Sequence, residues 1–233
     1  MLELFPGGFE EVDRTGGVEL VAYTDAGGEE RLWQAFGGAR TTDVEDGWEE
    51  RWRDFHRPVQ VGGLWIGPPW EAVPANGSLA VVIDPGRAFG TGAHPTTQLC
   101  LELLQELTPG SLLDVGCGSG VLSIAAALLG YAPVVGVDTD EAAVTVTVAN
   151  AIVNGVDVTA RLIEEDEDLP PADVIVANIS AAAIRSLAGR VDTANLITSG
   201  YLQPDEPTVP GYRRVDRRTR DGWAGDLHVR VNP

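Results

Sequence analysis

From position 79 onward the chain alternates between two hydrophobic periods. Short apolar runs, "LAVVI", "SLLDVG", "APVVGVD", "VTARLI", "ADVIVAN" and "ANLITSGY", read as strands. Between them "PTTQLCLELL", "SGVLSIAAALLG", "DEAAVTVTVANAIVNG" and "AAAIRSLAGRV" space their apolar residues as helices do. The valines and threonines of the third helix favour strand locally; its periodicity, with Asp140 opening and Gly155 closing it, decides for helix. The segment "LQPDEPTVPGYRRV" is too rich in proline for a helix and reads as an irregular loop, followed by an antiparallel pair around a turn at 221–225. Strand and helix in alternation predict an α/β fold: a doubly wound sheet, mostly parallel, with a C-terminal antiparallel hairpin and a ligand crevice at the carboxyl ends of the strands.

Residues 1–57 read as a separate small α/β domain. "GFEEV" and "GVELVAYT" are strands around a turn at 14–17, "EERLWQAF" is a short helix with Leu32, Ala35 and Phe36 on one side, and "ARTTDVED" is a further strand. So small a core is marginal and should lean on its neighbour. A tryptophan-rich linker, 58–77, leads into the main domain, 78–233. Trp48, Trp52 and Phe55 fall at helical spacing and are expected to cement the two parts of the chain rather than cage a ligand.

Composition narrows the chemistry. The chain has 233 residues, 44% of them hydrophobic, enough for one substantial core. No apolar run reaches the roughly eighteen residues of a membrane span, and the N-terminal stretch lacks a basic leader, so a cytoplasmic location is expected. Cys100 and Cys117 sit in apolar patterns and read as buried thiols, and His56, His94 and His228 show no metal-ligand spacing, so no metal is expected. The net charge is −19, from 35 acidic and 16 basic residues, and every basic residue is arginine. Such a field repels nucleic acid and speeds the encounter with a basic protein, although genome bias or a salty cytoplasm produces the same composition. The run "YRRVDRRTR" alternates along a strand as a solvated face does.

Two glycine clusters carry the candidate chemistry. In "DVGCGSG", Gly116, Gly118 and Gly120 occupy the turn between a strand and a helix, where backbone amides can approach a ligand at the positive end of the helix. The third glycine comes one residue too early for the G-x-G-x-x-G spacing of dinucleotide enzymes. Asp138 closes the next strand, where a carboxylate can accept both hydroxyls of a ribose. Helix capping is its alternative use, and Asp140 is better placed for that. Ahead of both lies "DPGRAFGTGAHPTTQLC", rich in bare backbone and hydroxyls that can hold a carboxylate without a bulky basic side chain.

With these segments in view, the chain resembles the ribosomal protein L11 methyltransferases, a family of class I S-adenosylmethionine-dependent enzymes that is itself similar to the lysine methyltransferases of electron-transfer flavoprotein. The resemblance rests on "WIGPPWE", "DPGRAFGTGAHPTTQLCLELL", "LLDVGCGSGVLSIAAALLG", "GVDTDEAAV", "NAIVNGV" and "ADVIVANI", together spanning 65–179. It implies S-adenosylmethionine as cofactor. Phe89, Gly90, Thr91 and Gly92 would form a lid over its methionine end, and Thr97, Gly116, Gly118, Asp138 and Asn178 would line its site. His94 is expected to orient the loop through a ring nitrogen rather than to act in catalysis, and the resemblance implies Asn178 as the residue that places the acceptor nitrogen. The family follows this asparagine with Ile-Leu, whereas this chain reads "NISAAAI", which widens the acceptor mouth; Asn178 could also cap the helix near Ser180. The family's first strand and helix have no counterpart before "GGFEEV", so the N-terminal substrate-recognition domain is expected to be shortened.

The implied reaction moves a methyl group to lysine or α-amino nitrogens of a basic protein, with ribosomal protein L11 as the partner and neither membrane nor nucleic acid expected. Rival readings are a methyltransferase of another protein or of RNA, a dinucleotide-dependent oxidoreductase, and a non-catalytic assembly factor that binds an adenosine cofactor.

Overall fold

The computed structural model describes residues 10–14, 17–21, 32, 35–36, 57–84, 92–164, 167–187 and 189–231, in two compact units divided between Trp52 and Arg53. In the first unit β1 (Glu10–Arg14) pairs antiparallel with β2 (Gly17–Val21), the hairpin expected there, and Leu32, Ala35 and Phe36 are helical. The expected strand "ARTTDVED" and the spaced Trp48, Trp52 and Phe55 lie outside the described residues.

The segment expected to be a linker is structured. Within 58–77, β3 (Val59–Val61) and β4 (Leu64–Gly67) pair antiparallel across Gly62 and Gly63, and β4 pairs parallel with β5 (Leu79–Val82). All four residues of β4 are buried, and Val61, Leu64 and Ile66 join the main core. The linker reading rested on the tryptophans and missed that "LWI" is an uninterrupted apolar run, the mark of a strand buried on both faces.

The main sheet has seven strands in the order β11-β12-β10-β9-β6-β7-β8, with β6 to β10 parallel and β12 antiparallel to its neighbours. They are β6 (Leu112–Val115), β7 (Val134–Asp138), β8 (Thr159–Leu162), β9 (Val174–Asn178), β10 (Asn195–Leu202), β11 (Tyr212–Arg220) and β12 (Trp223–Arg230). Helix α1 (Pro95–Leu104) precedes β6, α2 (Val121–Leu128) follows it, α3 (Glu141–Asn154) follows β7 and α4 (Ala181–Ser186) follows β9. Helix α3 forms despite its β-branched residues, with the Asp140 side chain accepting from the Ala142 amide at 2.9 Å and Gly155 closing it in the left-handed region. Helix α4 is shorter than the expected 181–191, because the chain turns through Gly189 at φ 79°.

Alternate strand residues feed two cores, as the two-residue period requires. Leu112, Val174, Val176 and Ile197 pack with α1, α2 and the three-stranded sheet, while Leu113, Ile175, Ala177 and Leu196 pack with Ile184, Leu187 and Val209 on the other face. Residues 203–211 hold neither helix nor strand, as expected of that loop.

The terminal hairpin departs from the sequence reading in two respects. Its turn is only Asp221 (φ 49°) and Gly222 (φ 82°), both positive, as a two-residue hairpin turn with the strands' own twist demands. Its arginines are not one solvated face: Arg213 is exposed, but Arg214, Arg217, Arg218 and Arg220 have carboxylate partners. A bulge between Arg214 and Asp216 puts Arg214 and Arg217 beside Asp226, a fully buried carboxylate that also accepts from the Tyr201 hydroxyl at 2.9 Å. Arg218 pairs with Glu106, and Arg220 with Glu102. Alternation sends these charges to two faces, and each face finds carboxylates waiting.

Candidate active site

Strand β6 is the point where chain direction across the sheet reverses: β7 and β8 lie to one side of it, β9 and β10 to the other. The carboxyl ends of β6 and β9 therefore splay their connections apart and leave a crevice. A cavity of about 600 Å³ opens there, lined by Thr97, Gly116, Gly118, Asp138 and Asn178, five of the residues singled out from the sequence.

The glycine turn presents bare surface more than free donors. Gly116 and Cys117 give their amides to Val137 O at 2.8 and 3.1 Å, and the Gly120 amide goes to Cys117 O. The amides expected to face a ligand are thus engaged within the protein, and what the turn offers the cavity is unobstructed backbone. Gly116 has φ 76°, and a Cβ on it would meet Ile179 Cγ2 at 2.6 Å; Gly120 has φ 80° and would meet Thr147. No side chain could occupy either position without pushing into the cavity wall or into α3.

Asp138 is held rather than free to swing. One carboxylate oxygen accepts from the Gly118 amide and the other from the Asp140 amide, both at 3.0 Å. Each oxygen keeps a lone pair for a ligand, so the group is a prealigned acceptor of two hydroxyls. Capping of α3 falls to Asp140, as its position in the sequence suggests.

Thr97 and Asn178 meet across the crevice. Thr97 is buried in the first turn of α1, and the Asn178 amide nitrogen donates to its hydroxyl at 3.2 Å. Asn178 does not cap α4; Ser180 does, accepting from the Ala183 amide at 3.2 Å. His94 caps α1, with Nδ1 accepting from the Thr96 amide and lying 2.7 Å from its hydroxyl, and burial lowers its pKa. Gly92, at φ 85°, is packed over Ile66 of β4. Phe89, Gly90 and Thr91 lie outside the described residues.

The structure adds residues that the sequence reading passed over. Ile163 and Glu164 line the cavity just past the carboxyl end of β8, a position the crevice rule itself points to. Leu169, Ser186 and Arg190 line it from segments with no motif to betray them. Asp114, fully buried in β6, accepts from the Ser123 amide at 3.1 Å and the Ser123 hydroxyl at 2.7 Å, pinning the start of α2 behind the glycine turn. Burial pushes its pKa up to about 6, with the charge of Asp138 adding to the effect. Cys100 and Cys117 are buried free thiols, as read, and burial pushes Cys117 up to about 12.

The family model described as "Ribosomal protein L11 methyltransferase (PrmA)" matches residues 19–223. The chain belongs to this family. Among ribosomal protein L11 methyltransferases, that of Azotobacter vinelandii is 48% identical over 158 residues, covering 66% of this chain and 53% of the relative. The Vibrio cholerae protein is 42% identical over 188 residues, covering 76% and 64%. The chain therefore matches between about half and two thirds of the length of these relatives. The crystal structure of ribosomal protein L11 methylase from Lactobacillus delbrueckii subsp. bulgaricus superposes with a TM-score of 0.68 at 28% identity, covering 76% of this chain and 100% of that one. The L11 methyltransferase match includes every residue that lines the cavity, from Thr97 to Arg190. Among the described residues, no helix is long and apolar enough to cross a membrane.

Proposed function

We propose that this chain binds S-adenosylmethionine in the β6/β9 crevice and methylates lysine or α-amino nitrogens of a basic protein, with ribosomal protein L11 as the substrate. The observation that carries the reading is the convergence of a fixed Asp138 carboxylate, a side-chain-free turn at Gly116 and Gly118, and the Thr97–Asn178 pair on one cavity. The fit to the cofactor follows from the donor set. Asp138 would hold the ribose hydroxyls, the glycine turn would let the nucleoside lie against backbone, and Thr97 with Phe89, Gly90, Thr91 and Gly92 would hold the methionine end. Bound there, the cofactor would supply an electrophilic methyl group on a sulfonium.

What remains for the protein is placement. Transfer to nitrogen needs an in-line, neutral amine rather than an acid–base pair. A lysine with a pKa of about 10.4 is mostly protonated at pH 7, which costs about 4 to 5 kcal/mol, while an α-amine near 8 costs far less. With its Nδ2 engaged by Thr97, Asn178 has Oδ1 left to accept an N–H from the incoming amine and orient its lone pair. The net charge of −19 supports a basic partner, and the pairing of Arg214, Arg217, Arg218 and Arg220 with carboxylates removes the arginine run that could have formed a nucleic-acid patch.

The reading is tested by incubating the protein and labelled cofactor with lysate from a source strain lacking the gene, then mapping labelled sites by mass spectrometry. Label on L11 amines is the expected result. Label on another protein would replace the substrate, label only on RNA would overturn the protein reading, and cofactor binding with no transfer would favour an assembly factor.

A further inference from the structure

The outer face of α1 is gripped along its length by the terminal hairpin, whose strands lie outside the cavity lining. His94, Gln98, Glu102 and, just past the helix end, Glu106 recur every four residues and so form one stripe. Each has a partner on β11 or β12. The His94 ring meets the Trp223 ring edge-on with centroids 4.8 Å apart. Arg220 forks between Gln98 Oε1 and Glu102 Oε1, the latter at 2.7 Å, and Arg218 pairs with Glu106. Gln98 in turn donates to Ala93 O at 2.7 Å, so the Arg220 contact extends to the backbone just ahead of the helix. Gly225 of β12 lies so close to α1 that a Cβ there would sit 2.9 Å from Leu99 Cβ.

Thr97 lies on the same helical turn, about 100° round the helix from Gln98, lining the crevice and bonded to Asn178. A helix turn held at His94, Gln98 and Glu102 has little freedom to roll, and a small roll is what would separate Thr97 from Asn178. We propose that the tip of the β11–β12 hairpin, through Arg220 and Trp223, is a positioning brace for α1 that sets Thr97 against Asn178 and thereby the cofactor affinity of the cavity. The inference rests on the S-adenosylmethionine reading above and assigns Arg220 and Trp223 a role in it without contact to the ligand. Arginine suits this position because one planar group reaches two acceptors a helical turn apart, which an ammonium cannot match.

The experiment is isothermal titration of S-adenosylmethionine into the parent, R220A, E102Q, W223L and R213A, and into T97V with and without R220A. R213A removes an exposed arginine of the same strand and controls for net charge. R220A and E102Q should each weaken binding, R220A by about tenfold, while R213A stays within about twofold of the parent. In the T97V background the R220A cost should shrink to less than half, since the brace acts through Thr97, and the charge swap E102R/R220E should restore part of the affinity. If R220A does not fold, E102Q and W223L carry the same comparison against T97V. Parent binding with unchanged affinity in R220A and E102Q, or a loss fully additive with T97V, would overturn the brace alone. Absence of binding by the parent would overturn the cofactor reading and the brace with it.

Discussion

The Asn178 side-chain amide donates to the Thr97 hydroxyl over 3.2 Å, joining positions 81 residues apart. This bond ties the carboxyl end of β9 to the first turn of α1 across the mouth of the cavity, and neither residue explains its own placement. Thr97 is set by the cap at His94 and the proline at the start of α1, Asn178 by its register opposite Ser199 in the sheet.

N178A should lower kcat by on the order of a hundredfold at saturating cofactor and acceptor, more than the roughly tenfold it costs in cofactor Kd, because orientation of the amine matters most at transfer. T97V removes the same bond from the other end. Combining the two should cost less than the sum of the single losses. Turnover equal to the parent in N178A would remove the residue from the reaction.

Asp138→Ala should weaken S-adenosylmethionine binding by roughly a hundredfold, the equivalent of losing two charge-assisted bonds to the ribose. The two amides now held by the carboxylate would also be released, so the loop at Gly118 loosens in the same variant. Calorimetric titration of a folded D138A that matched the parent would refute the assignment.

Gly116→Ala combines a left-handed backbone with a methyl group driven toward Ile179, and should destabilise the protein by about 2 to 4 kcal/mol while narrowing the cavity. Gly130 is the control: it also has a positive φ, 95°, but nothing within 4 Å. G130A should cost only about 1 to 2 kcal/mol, the backbone part alone. Equal denaturation midpoints for the two variants would mean that the contact with Ile179 does not constrain the turn.

Asp114 predicts a stability slope with pH. Its folded pKa, about 6, lies above the ordinary aspartate value of 3.8, so between these limits the folded state holds a proton that the unfolded state has released. Stability contributed by this group is therefore present below about pH 4 and lost as pH rises through about 6, by on the order of 3 kcal/mol in all. Urea denaturation from pH 4 to 7 should show that slope in the parent against a flatter one in D114N, whose side chain does not titrate. Parallel curves for the two proteins would contradict the buried-carboxylate account.

The amino-acid sequence was sufficient for the parallel core of the fold, because burial on both faces writes strands as apolar runs and caps such as Asp140 and Gly155 mark helix ends locally. The same holds for the placing of Gly116, Gly118 and Asp138 on the cavity wall, which follows from standing at a strand's carboxyl end. Tertiary structure was needed where the controlling partner is distant in sequence. The buried run "LWI" sits inside a tryptophan-rich stretch whose destination no local signal gives. The arginines of β11 read as solvent-facing because only the fold brings Glu102, Glu106 and Asp226 to them. Ile163, Glu164 and Arg190 join the cavity lining from segments that follow β8 and α4, and Thr97 meets Asn178 through the stacking of α1 on the sheet. Local patterning encodes which residues are buried and where elements stop; the choice of which side chains face one another across the cavity is made by packing, which acts on pairs that the chain order keeps apart.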